Sequence, residues 1–189
     1  MRKFATILGI LIFSISLFLM LSYEKDIRYG FVEVEGGKML GMSAETAKTS
    51  GDIVYAQNLF LSFDEEELGT IEVQAEKSVY NLKSGIVEIS GNVRLKAKNI
   101  YAETKKAKIF LDDKSIKKIE SYEDVKVQTN GRTIKAEKAE IFPKEKIIIF
   151  TGNATIYQKG LEIQGKIIKV YLDSDKVEIE DTRAKTIGE

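Results

Sequence analysis

A nineteen-residue pattern occurs twice in this chain and constrains the fold more than any other feature. Residues 75–93 read AEKSVYNLKSGIVEISGNV and residues 136–154 read AEKAEIFPKEKIIIFTGNA, aligned without a gap at an offset of 61 with seven of nineteen positions identical. A degenerate copy, AKIFLDDKSIKKIESYEDV, fills 107–125 with Glu123 in place of the glycine of Gly-Asn. The repeating unit is therefore about 30 residues. It reads as a strand, a turn, a strand ending in Gly-Asn, then a further strand and turn. Such a unit cannot bury its apolar face alone and must stack on its neighbours.

The flanking sequence has the same character. The runs 87–95, 125–128, 133–135, 146–151, 155–157, 161–164, 167–172 and 177–180 are rich in β-branched residues and mostly alternate, which predicts strands. Ser84-Gly85, Asn130-Gly131, Lys159-Gly160 and the stretch 174–176 punctuate them with turn chemistry. Gly91-Asn92 and Gly152-Asn153 interrupt strands rather than open a helix, so they predict a bulge or tight bend and not a phosphate cradle. The stretch 42–48 is the one place after residue 23 where a helical turn is expected. An all-β body follows.

Alternation assigns the faces. In Val93-Arg-Leu95-Lys, Val125-Lys-Val127-Gln and Leu161-Glu-Ile163-Gln, one face is aliphatic and the other polar or charged. The aliphatic faces must line one shared interior. The inward positions are Val93, Leu95, Val125, Val127, Ile134, Ile147, Ile149, Ile156, Ile163, Val170 and Leu172. Within 147–150 both faces are apolar, which leaves the phase open there. The chain has no Trp, and three of its nine Phe (Phe4, Phe13 and Phe18) precede the body, so the interior is built of Ile, Val and Leu. Such a lining suits an ordinary filled core and also suits contact with acyl chains; composition alone favours the core.

The N-terminus has a different pattern. After Met1-Arg2-Lys3, residues 4–23 (FATILGILIFSISLFLMLSY) carry no charge. Twenty helical residues span about 30 Å, the thickness of a bilayer's hydrocarbon core. The run is long for a secretory signal and lacks a small-residue cleavage pattern, which favours an uncleaved transmembrane anchor. Arg2 and Lys3 before the run place the N-terminus in the cytoplasm and the remainder outside. That remainder holds 27 basic and 29 acidic residues, a net charge of −2. The resulting division is a cytoplasmic tip at 1–3, a transmembrane helix at 4–23, a juxtamembrane segment at 24–49, the β body at 50–182 and a tail at 183–189.

The same composition excludes several function classes. Without His or Cys there is no Ser-His-Asp or Cys-His hydrolase and no thiolate metal site. The neutral overall charge argues against nucleic acid. The run Asp64-Glu-Glu-Glu67 lacks the ligand spacing and glycine of a calcium loop and reads as a solvated turn. Asp112-Asp113 and Asp173-Ser-Asp175 sit at turns, with no cleft motif that would make them catalytic pairs. The lysines between 105 and 118 read as a solvated strand face, with anionic head groups as the alternative partner. No enzyme, cofactor or metal site is expected.

With anchor, repeat and strand spacing together, the chain resembles the OstA-like family of lipopolysaccharide-export proteins that includes LptC and LptA. The likeness is carried by Ile134-Lys-Ala136-Glu-Lys-Ala139, Ile147-Ile-Ile-Phe-Thr-Gly152-Asn153-Ala154-Thr-Ile156 and Gly160-Leu-Glu-Ile163-Gln-Gly165-Lys-Ile167. Val73-Gln-Ala75-Glu-Lys-Ser78, Gly91-Asn92-Val93 and Ala56-Gln-Asn-Leu59-Phe-Leu-Ser-Phe63-Asp64 match the same pattern. The resemblance implies an open, V-shaped β-jellyroll whose interior holds the acyl chains of lipopolysaccharide. It implies a place in the inner membrane with the body in the periplasm. The partners would be an LptB-LptF-LptG extractor on one side and an LptA or LptD-like jellyroll, joined by edge-strand addition, on the other. The anchor favours an LptC-like member; a soluble LptA-like bridge with a cleaved signal and a structural β-repeat protein of the envelope are the alternatives.

Overall fold

The computed structural model describes residues 27–31, 39–112 and 115–186, with side chains from 42 onward. The transmembrane helix expected at 4–23 lies outside the described residues. Among the described residues twelve strands follow one another: β1 (Ile27–Phe31), β2 (Met39–Ser50), β3 (Ile53–Glu65), β4 (Gly69–Asn81), β5 (Ile86–Ala97), β6 (Ile100–Asp112), β7 (Ser115–Thr129), β8 (Arg132–Phe142), β9 (Ile147–Gln158), β10 (Leu161–Tyr171), β11 (Val177–Glu180) and β12 (Arg183–Thr186). All belong to one antiparallel sheet in which β1 to β11 lie side by side in chain order, while β12 pairs with β10. The helical turn expected over 42–48 is strand, because those residues pair with β3 from Met42↔Leu61 to Lys48↔Tyr55. Strands β1 and β2, from the segment 24–49, are thus hydrogen-bonded into the sheet.

The strands are longer than the sequence runs suggested, since two runs often form one strand. The stretches 146–151 and 155–157 fall largely within β9, and 161–164 and 167–172 largely within β10. What separates each pair of runs is a kink inside the strand. On the odd-numbered strands the kink residues have left-handed backbones: Asn58 on β3, Gly91 and Asn92 on β5, Glu123 and Asp124 on β7, Gly152 and Asn153 on β9. Register shifts opposite them run from β4 through β10 in a continuous line. Between Gln74↔Arg94 and Lys77↔Ser90, two residues of β4 face three of β5, which is the one-residue excess of a β-bulge.

The repeat is therefore a kinked hairpin: an even strand, a turn, and an odd strand with a bulge in its middle. Glu76 accepts a hydrogen bond from Asn92 Nδ2, Glu137 Oε1 accepts one from Asn153 Nδ2 at 2.6 Å, and Glu45 accepts one from Asn58. Glycine is required at 91 and 152 for two reasons. The φ angles of +77° and +76° disfavour L side chains, and an added Cβ would lie 2.9 Å from Glu76 Cβ and 2.7 Å from Glu137 Cβ. Strands β11 and β12 extend the series. Asp181, with φ 52°, separates them where the next kink belongs, and both pair with β10 on either side of its own register shift.

The sheet also coils on itself. Glu65, at the end of β3, accepts a hydrogen bond from the Ile116 amide at the start of β7 at 2.8 Å. Glu67 pairs with Lys146, just before β9, at 2.5 Å, and Arg132 after β7 reaches the Asp175 carbonyl before β11 at 3.0 Å. The far tips of early odd strands thus meet the near tips of later ones. This encloses the inner face between two arms hinged along the line of bulges. Glu65 is buried, not part of a solvated turn as its acidic run suggested.

Candidate functional site

The inner face forms continuous rungs across the sheet. On one arm, successive cross-strand partners are Met42, Leu61, Val73, Leu95, Ala102, Val127, Ile134, Ile156, Ile163 and Ala184. On the other arm they are Val54, Tyr80, Val87, Ile109, Ile119, Ile141, Ile148, Val170 and Val177. Each rung consists of directly opposed side chains about 5 Å apart, the unit in which sheets are stabilised. Next to the bulges the rungs are lined largely by small residues, Ala56, Ser78, Ala107, Ser121 and Ala139 among them, all buried. Small side chains belong at the hinge, where the two arms converge and space is least. Bulky aliphatics fill the wider arms.

Seven of the eleven inward positions expected from the sequence are buried: Val93, Leu95, Val125, Val127, Ile134, Ile156 and Val170. Ile163 shares the Ile156 rung and is half-buried, and Leu172 is half-buried against the core. Ile147 and Ile149 are on the opposite face. Ile148 and Phe150, with no exposed surface, point inward, while Ile149 is paired between Glu140 and Lys169 on the charged side. The four consecutive apolar residues 147–150 fit either phase, and the expected phase is the wrong one. Buried apolar positions in β9 are 148, 150, 154 and 156, so the parity is preserved through the kink; in β8 they are 134, 139 and 141, so it flips. The interior also includes Leu61, Phe63, Ile109, Ile119, Ile141 and Ile168, which the short runs did not select. The alternation Leu59-Phe-Leu61-Ser-Phe63 was the available signal for the first two.

The outer face is a lattice of opposite charges. Lys108 pairs with Glu88 at 2.6 Å, Lys118 with Glu120 at 2.5 Å and with Glu140 at 3.4 Å, and Lys138 with Glu140 at 3.2 Å. Burial by itself raises the Glu120 carboxyl, but hydrogen bonds from Lys118 and Tyr122 and the nearby Lys138 charge outweigh it and bring the carboxyl to about 2. Burial and the same hydrogen bond push the Tyr122 phenol up to about 12. The Lys118 ammonium also lies 4.9 Å from the Phe110 ring centre. Lys106, Lys108 and Lys118 are thus balanced by carboxylates of the same face. Among the described residues no group of carboxylates is placed to hold a metal ion.

These observations define an all-β body, one coiled antiparallel sheet with charged outer walls and an aliphatic inner face. Residues 72–176 match the family model described as "LptA/(LptD N-terminal domain) LPS transport protein", more than half of the chain. The chain belongs to this family of lipopolysaccharide transport proteins. Among solved structures it is similar to LptH of Pseudomonas aeruginosa, described as the LptA homologous periplasmic component of the conserved lipopolysaccharide transport device. The TM-score is 0.55 at 14% identity, covering 63% of this chain and 94% of that one, a likeness of fold. No curated protein sequence gives a significant match.

Proposed function

We propose that this chain carries lipopolysaccharide between the two membranes of the envelope, its acyl chains lying against the inner rungs. The observation that carries this reading is the uninterrupted aliphatic rung from Met42 to Ile163, nine strands wide. Each acyl methylene withdrawn from water contributes about 0.8 kcal/mol, so burial suffices for holding without catalysis. Val127, Ile134 and Phe150 have no exposed surface, so lipid enters by parting the arms. The entry point is the C-terminal end, where Leu161 is 45% exposed and Ile163 half-buried. Direction comes from outside: an LptB-LptF-LptG extractor loads the lipid and an LptA or LptD-like body receives it by edge-strand pairing.

The uncharged run 4–23 supports an inner-membrane anchor, with the body in the periplasm, and hence an LptC-like place in the chain. The family match and the LptH-like fold favour a second reading, a soluble LptA-like bridge. Cell fractionation with N-terminal sequencing separates the two: membrane-bound protein with an intact N-terminus supports the first, soluble protein with a shortened one the second. For the shared function, photo-crosslinking residues at Val127 and Ile156 label lipopolysaccharide while those at Ile149 and Lys126 do not. Labelling confined to Ile149 and Lys126 overturns the assignment of the inner face.

A further inference from the structure

At one tip of the inner face a cation is buried where aliphatic packing would be expected. Thr129 and Arg132 flank the Asn130-Gly131 turn and are direct cross-strand partners. They are 3% and 8% exposed. A guanidinium taken out of water needs all its donors engaged. Here Arg132 Nε donates to Gln158 Oε1 at 3.2 Å and Nη2 donates to the Asp175 carbonyl at 3.0 Å. Nη1 has no hydrogen bond, with Asp175 Oδ1 3.6 Å away, and the Thr129 hydroxyl across the ladder has no partner either. Two buried donors on one face are therefore unfilled, beside a carboxylate that is itself 87% exposed.

The surroundings fit an amphiphile. Ile100, the cross-strand partner of Thr129, lines a cavity of about 200 Å³ together with Leu172, Asp173 and Lys98. Val127 and Ile134, the next inward pair, begin the aliphatic rung. A ligand lying along that rung would present its polar end to Arg132 and Thr129. Once Asp175 is displaced, Nη1 and Nη2 can meet phosphoryl oxygens in two-point contact, and the Thr129 hydroxyl adds a third bond. The exposed Asp175 carboxylate is a weak competitor, easily displaced.

We infer that Arg132 and Thr129 form a binding site for the phosphoryl head group of a phosphorylated glycolipid, and that Asp175 covers it when it is empty. The inference rests on the carrier reading above and adds head-group recognition to it. Displacement of Asp175 also frees the turn at 173–176, so that loading opens the same end of the interior that the apolar chains must enter.

The test uses the full chain in detergent, titrated with bisphosphorylated lipid A and with its dephosphorylated form. The expected result is a preference of about tenfold for the phosphorylated form. Arg132→Gln and Thr129→Val reduce the preference and leave affinity for the dephosphorylated form unchanged, and Asp175→Asn increases it. Thr129→Val replaces the hydroxyl with a methyl of similar size and keeps the test valid if Arg132→Gln does not fold. An undiminished preference in the folded variants overturns the inference alone. Competition by inorganic phosphate as strong as that of the phosphorylated lipid overturns the head-group assignment in favour of free phosphate. Failure of the native chain to bind either lipid overturns the carrier reading and the inference with it.

Discussion

The hairpins β8–β9 and β6–β7 reach the same kinked geometry with different chemistry. In β8–β9 the kink is Gly152-Asn153, held by a neutral amide donating to Glu137. In β6–β7 it is Glu123-Asp124, two residues with side chains at φ 64° and 55°. There the strand opposite supplies cations instead of a carboxylate: Lys106 pairs with Glu123 at 2.7 Å and Lys105 with Asp124. The Thr104 hydroxyl lies 2.6 Å from the Tyr122 carbonyl and braces the bent backbone directly. What the repeat conserves is thus the bend, and the residues that produce it can exchange donor for acceptor. Left-handed residues with side chains carry a conformational cost of about 1–2 kcal/mol each, so the β6–β7 kink is the more strained of the two.

The sharpest way to break this comparison is Gly152→Val. It combines a forbidden φ with a clash against the Glu137 stem, and unfolding in urea should show a loss of about 2–4 kcal/mol at unchanged m value. An equal loss from the same change at exposed Gly131, where a Cβ meets nothing within 4 Å, would show that φ alone matters.

Acid provides the second test, because Glu120 belongs to the β6–β7 side of the comparison. Its folded carboxyl titrates at about 2 against an ordinary 4.5, so its contribution is present above pH 4.5 and is lost as pH falls toward 2. The loss is at most about 3 kcal/mol, and Glu120→Gln should flatten this acid limb of the stability curve. Tyr122, raised to about 12, acts at the other end: its contribution is full below pH 10 and is lost as pH rises through 12.

Smaller effects refine the picture. Glu123→Gly should raise stability by about 0.5–1 kcal/mol, since relief of backbone strain exceeds the loss of an exposed ion pair. A decrease would show that the pair, not the bend, holds β7. Lys106→Met should shift the urea midpoint by less than about 0.5 kcal/mol equivalent, and the shift should vanish in molar salt.

The all-β class, the hairpin-sized repeat and the Gly-Asn bends were legible because each has a local cause: alternation, turn residues and positive φ. The strand phase at 147–150 was not. Local alternation gives the wrong face there because four consecutive apolar residues satisfy either parity, and only pairing with Ala139 and Ile168 makes Phe150 the inward one. The buried role of Glu65 was hidden for a related reason. Its partner, the Ile116 amide, is 51 residues away and comes close only when the sheet coils. Arg132 follows a turn, and its burial comes from the β10–β11 turn, 43 residues away, closing over it.

Because the hairpins from β4 to β9 repeat the same bend and their strands pair only with neighbours in sequence, strand pairing alone does not set the number of units. Adding or deleting one unit lengthens or shortens the sheet by two strands, roughly 10 Å, without altering any remaining contact except those between coiled tips. The kink at Asp181, between the two short strands β11 and β12, repeats the same bend beside β10. The distance such a body spans is then a number of copies rather than a new architecture, adjustable by duplication in steps smaller than the thickness of a bilayer.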